Sequence, residues 1–175
     1  MKPTMSILDP TYTFTVSKKQ TAAGTADMMS HTMENYFNFV EGAEMQAGFC
    51  ETILRNAIQY APIALAEPDN YEARAALMWD ASLAINGLLN SGCGVAWCIH
   101  PIEHELSAFY DITHGEGLAI ITPVWMEYIL NQIWSSETPI TIEEFVNKNY
   151  VFYHMPTADD YALIDMIISG KWAED

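Results

Sequence analysis

Between Ser17 and Trp134 the chain carries apolar residues at helical spacing in a series of long runs, and its breakers fall between those runs. That pattern predicts helices and leaves little room for a sheet. Ser17 is placed to cap a helix from Lys18 toward Phe39, with a lone Gly24 tolerated inside it. Glu44 to Leu65 repeats Phe49, Ile53, Ala57, Ile58 and Ile63 on one side, and Pro68-Asp69-Asn70 ends it. Tyr71 to Asn90 is apolar nearly all round (Ala76, Leu77, Leu83, Leu88), the pattern of a buried helix. A turn at Ser91 to Gly94 precedes a helix from Val95 to Phe109, and a polar break at Asp111 to Gly115 precedes another from Gly117 to about Trp134. Only Thr11 to Val16 alternates in the β manner (Tyr12, Phe14, Val16), predicting one short extended segment. Thr141 to Asn149 and Ala158 to Ile168 read as further helices. The expected fold class is therefore all-α: an extended lead-in over 1–16, a helical domain over 17–134, and a helical tail over 135–175 packed on that domain.

With 175 residues, 50% hydrophobic and 17% charged, the chain can bury the core of one domain and is not a disordered sequence. A formal net charge of −16, from 23 acidic and 7 basic residues, repels phosphate backbones and anionic lipid. Nucleic acid and membrane surfaces are thus excluded as expected partners. Met1 to Asp9 lacks the basic-then-apolar order of a signal peptide, and no apolar run approaches the roughly 20 residues that cross a bilayer. Cys50, Cys93 and Cys98 are odd in number and form no CxxC pair, which fits a reducing, cytoplasmic setting. Cys93, Cys98, the methionines, and Trp79, Trp97, Trp125 and Trp134 are expected in the core.

Histidines are scarce: His31, His100, His104, His114 and His154. His100 and His104 are four apart and share a helix face, as do Asp27 and His31. His114 follows the Asp111-Ile112-Thr113 break and precedes Gly115, where a turn can bring its ring back toward the same point. Taken singly, each pair is commonly a surface or capping feature. Two such helices facing each other would assemble a cage of one carboxylate and two or three imidazoles. That ligand set suits Fe(II) or Zn(II), and the lack of sulfur ligands points to a catalytic rather than a structural site. His154, next to Phe152 and Tyr153, reads as a packing or surface residue.

Two stretches carry a resemblance to a known family. Lys19 to Glu34 (KQTAAGTADMMSHTME) and His100 to Gly115 (HPIEHELSAFYDITHG) resemble the two metal motifs of the iron-containing, group III, alcohol dehydrogenases, most of all the butanol dehydrogenase branch. Segments 60–65, 70–74 and 78–89 are similar to that branch as well, so the likeness runs from about Ser6 to Asn131. The resemblance implies that Asp27, His31, His100 and His114 hold the metal, and that His104 assists proton or cofactor handling. It also implies NAD(P)H-dependent interconversion of small primary alcohols and aldehydes.

The chain departs from the family pattern at both ends. No GxGxxG, GGGS or Walker-type loop occurs, and Ser6 to Pro10 resembles the junction after the family's α/β nucleotide-binding domain. NAD(P)H is therefore expected only where a nucleotide-binding domain is supplied, and the expected partners reduce to that domain or a second copy in a homodimer. From about Gln132 the sequence is expected to leave the family pattern. Beside the dehydrogenase reading stand a non-catalytic metal-binding or interaction protein on the same fold and, ranked last, a metal-dependent hydrolase.

Overall fold

The structure, a computed structural model, describes residues 4–37, 40, 42–94 and 97–134, with side-chain surroundings as far as Glu127. Among the described residues five α-helices follow a short 3-10 turn at Pro10–Thr13: α1 (Lys18–Tyr36), α2 (Glu44–Ala66), α3 (Tyr71–Ile85), α4 (Ile99–Tyr110) and α5 (His114–Trp134). The described residues contain no strand, and the fold is all-α. None of the described helices is long and apolar enough to cross a membrane.

Helix α1 is the hub, packed against α2, α3 and α5, while α2 also meets α3 and α4 also meets α5. The Ser17 hydroxyl oxygen accepts the Gln20 N–H at 3.2 Å and starts the helix. One side of α1 contributes Met28, Met29 and Met33 to the core, where they meet Cys50, Ile53, Leu54 and Ala57 of α2, then Ala84, Leu89 and Met126. A fully buried chain such as Ile53 contributes about 1.5–3 kcal/mol by leaving water. Two buried hydroxyls of α1 are satisfied within the helix: Thr25 and Thr32 donate to the carbonyls of Thr21 and Met28, each at 2.8 Å.

Several expectations need correction. Thr11 to Val16 is not extended, because Asp9 Oδ1 accepts both the Thr11 N–H (3.0 Å) and the Thr11 hydroxyl (2.7 Å). Pro10 then sets the first turn and Thr13 donates back to its carbonyl at 2.7 Å, so local bonds win where no strand among the described residues offers a partner. Helix α3 stops at Ile85, ahead of Gly87 with its φ of 91°. Nor is α3 buried all round: its inward face is small (Ala73, Ala84), while Tyr71, Trp79 and Ile85 stay more than half exposed. Among the residues expected in the core, Met5 and Met45 point to solvent, Cys98 is exposed at the entry to α4, and Trp97 is 40% exposed. The helices foreseen at Thr141 to Asn149 and Ala158 to Ile168, and His154, lie outside the described residues.

The break before α5 is shorter than foreseen. Asp111, with φ 55° and ψ 34°, takes the left-handed conformation that ends α4, its N–H donating to the Ser107 carbonyl at 3.0 Å. The Thr113 carbonyl accepts the N–H groups of Glu116 and Gly117, so α5 begins at His114 instead of Gly117. A side chain on the first turn of α5 is thereby aimed back across α4 and α1.

Candidate metal centre

Asp27 and His31 lie one turn apart on α1, His100 on the first turn of α4, and His114 on the first turn of α5. The fold brings all four together. Asp27 Oδ1 lies 3.4 Å from His31 Nε2, 3.4 Å from His100 Nε2 and 3.6 Å from His114 Nε2. The donor atoms of Asp27, His31 and His100 all fall within 4.8 Å of one another. Ligands bound tetrahedrally at about 2.1 Å are separated by roughly 3.4 Å, so these spacings match one shared ion.

Two further carboxylates stand behind the imidazoles. Glu34 of α1, its side chain fully enclosed, bonds His100 Nδ1 through Oε2 and accepts the Cys98 and Ile99 N–H groups on Oε1 at 2.5 and 2.6 Å. Glu103 of α4, equally enclosed, bonds His114 Nδ1 through Oε2 and accepts the Ser107 hydroxyl on Oε1. A carboxylate can only accept, so each Nδ1 carries a proton, and the lone pair that a neutral ring offers to an ion sits on Nε2. Trp97 closes the side nearest His31 and His100, edge-on to both rings at centroid distances of 5.3 and 5.2 Å.

The electrostatics are those of a site short of positive charge. Burial opposes ionisation of Asp27, but the close approach of His100 Nε2 and the field of the three imidazoles outweigh it and hold the carboxyl below its usual range. Glu34 is likewise held down against burial, by His100 and the two backbone N–H donors. Burial also opposes a charge on His100, yet Asp27 and Glu34 raise its pKa to about 9. His31 goes the other way, lowered by burial and then by the neighbouring His100. Two atoms at the centre, Asp27 Oδ1 and His100 Nε2, are buried without a hydrogen-bond partner among the described residues. Two orphaned lone-pair donors, spaced as ligands, fit a divalent cation.

His104 stands at the rim, its donor atom within 4.8 Å of those of Glu103 and His114 and not grouped with Asp27, His31 and His100. It is exposed, with its ring centroid 5.2 Å from that of His114 and 6.4 Å from that of His100. Glu34, Glu103 and Trp97 were not foreseen. Each glutamate sits three residues after a histidine (His31, His100), a helix-face spacing that could have flagged it. Two glycines make room for the arrangement: a Cβ on Gly117 would lie 2.2 Å from Glu103 Oε1, and one on Gly115 would lie 2.0 Å from the Ala23 carbonyl oxygen.

Residues 21–148 match the family described as Fe-containing alcohol dehydrogenase family, C-terminal. The match passes Asn131, where the likeness was expected to end. NADH-dependent butanol dehydrogenase A of Clostridium acetobutylicum is 67% identical over 131 residues, covering 75% of this chain and 34% of that protein. A Bacillus subtilis protein named "Probable NADH-dependent butanol dehydrogenase 1" is 45% identical over 172 residues, 97% of this chain and 43% of its own. The crystal structure of NADH-dependent butanol dehydrogenase A from Thermotoga maritima superposes with a TM-score of 0.76 at 37% identity, covering 97% of this chain and 41% of that one. The chain thus spans between about a third and two fifths of these relatives' lengths.

Proposed function

Since this chain belongs to the Fe-containing alcohol dehydrogenase family, matching its C-terminal region, we propose that it provides the metal site of an NAD(P)H-dependent alcohol dehydrogenase acting on small primary alcohols and the corresponding aldehydes. Asp27, His31, His100 and His114 are the ligands, with Fe(II) or Zn(II) as the ion. The observation that supports this most directly is the convergence of three Nε2 atoms on one buried, unpartnered carboxylate oxygen. The hydride carrier is held by an α/β dinucleotide-binding domain, in the same polypeptide or supplied in trans.

When bound, the divalent ion supplies Lewis acidity to a substrate oxygen. The protein's own part is positional and protic. Three imidazoles arrive from three helices with Nε2 already directed inward, which removes the reorganisation a flexible site would need. Trp97 shields one side of the cage from water. His104, exposed beside His114, passes the hydroxyl proton between substrate and solvent on its ring nitrogen.

Metal analysis of the purified chain tests the reading, with Asp27→Ala and His114→Ala alongside. Near-stoichiometric iron or zinc in the wild type and its loss from both variants is expected; a folded, metal-free wild type would overturn the reading. Aldehyde-dependent NADPH oxidation with a dinucleotide-binding domain added then separates the dehydrogenase from a non-catalytic metal-binding protein, which would bind metal and show no turnover.

A further inference from the structure

The four ligands of this cage are not supported alike. Glu34 and Glu103 are carboxylates inside the protein, 3% and 0% exposed, and no lysine or arginine pairs with either among the described residues. Burying an uncompensated carboxylate costs several kcal/mol, so each needs a partner that keeps it there. The partner is an imidazole whose opposite nitrogen faces Asp27. The pairing is crossed between helices. Glu34 follows His31 on α1 but serves His100 on α4; Glu103 follows His100 on α4 but serves His114 on α5. His31 has no such support, since its Nδ1 is buried without a hydrogen-bond partner.

From this we infer that Glu34 and Glu103 are positioning residues for the metal: each fixes the Nδ1–H tautomer of a histidine on another helix, makes its Nε2 a stronger donor, and leaves His31 the weakly held ligand. The inference rests on the four-residue cage proposed above and goes beyond it. A carboxylate on the far nitrogen of a ligating imidazole raises its basicity and locks its orientation, and losing it lowers metal affinity about 10–100-fold. With Asp27 the two glutamates place three negative charges around one divalent ion, which offsets the cost of burying them. The crossed pattern also means that the brace links α1 to α4 and α4 to α5, so ligand geometry and helix packing are set by the same bonds.

The test uses the full chain loaded with Co(II) as a spectroscopic probe, with affinity measured by chelator competition. Glu34→Gln and Glu103→Gln keep the side-chain length and remove the charge. Each is expected to weaken Co(II) binding about 10–100-fold and to alter the ligand-field bands while helical circular dichroism is retained. Asp80→Asn, which removes a buried carboxylate that touches none of these residues, is expected to leave both unchanged. Tight binding with unaltered bands in both glutamine variants would overturn the inference while leaving the cage intact; a wild type that binds no Co(II) would instead remove the cage itself. Should the glutamine variants not fold, imidazole nitrogen–proton correlation spectra of the wild type with Zn(II) bound decide the matter. Slowly exchanging Nδ1–H protons on His100 and His114, and a faster one on His31, are expected. Nε2–H tautomers on His100 and His114 would overturn the inference.

Discussion

Asp80 shows what a carboxylate does in this fold when no cation answers it. It is 3% exposed on α3, accepts one bond from Asn56 Nδ2 at 3.3 Å, and leaves Oδ2 without a partner. Burial pushes its pKa up to about 6, against a usual value near 3.8, and the Asn56 bond only partly opposes this. The folded state then holds the proton more tightly than the unfolded state, so this residue's contribution to stability declines as pH rises from about 4 to about 6 and its full cost is present above that. Asp80→Asn should therefore stabilise the protein at pH 7 by about 2 kcal/mol and leave it nearly unchanged at pH 4. Urea denaturation at both pH values checks this, and an equal effect at both would contradict it. The contrast with Asp27 is chemical: three imidazoles surround that carboxylate and hold its pKa down, whereas Asp80 has one amide.

At the scale of elements, the decisive feature is how closely α5 approaches α1 and α4. Gly115 lets the first turn of α5 lie on the backbone of Ala23, and Gly117 leaves the space that the Glu103 carboxylate fills. A methyl group at either position meets atoms nearer than van der Waals contact, but the atoms differ. Gly115→Ala strikes a helix carbonyl that cannot swing away, and should destabilise the fold by about 1–3 kcal/mol in urea denaturation. Gly117→Ala strikes a side chain that can move, so its larger effect should fall on the His114 brace. Weakened metal binding with a smaller stability loss is the expected outcome, measured by chelator competition and denaturation together. Equal stability losses with unchanged metal affinity would show that Glu103 relocates without consequence for His114.

For the whole molecule, ligands from α1, α4 and α5 make metal binding and folding one equilibrium, because the unfolded chain cannot present them together. Zn(II) at about 100 times its dissociation constant should stabilise the native state by roughly 2.7 kcal/mol and raise the thermal midpoint, with a chelator reversing the shift. The Asp27→Ala variant should show no such response; an equal response would place the metal elsewhere.

What the sequence by itself determined is what period and residue type can carry. Helical spacing, the Ser17 cap and the Pro68-Asp69-Asn70 break place α1, α2 and the start of α3, since those signals are local. Asp27 and His31 share a face of α1 for the same reason, and His100 and His114 are legible as metal-type residues in a histidine-poor chain. The rest depended on what lies far away in sequence. The Thr11 to Val16 segment curls because no strand among the described residues pairs with it, and α3 exposes Trp79 because nothing among them covers it. Most of all, the service that Glu34 gives to His100 spans 66 residues, and its direction across helices cannot be read from a helix-face spacing that points equally to His31. A hydrogen bond depends on distance and angle between two atoms, and only the packing of α1, α4 and α5 sets those.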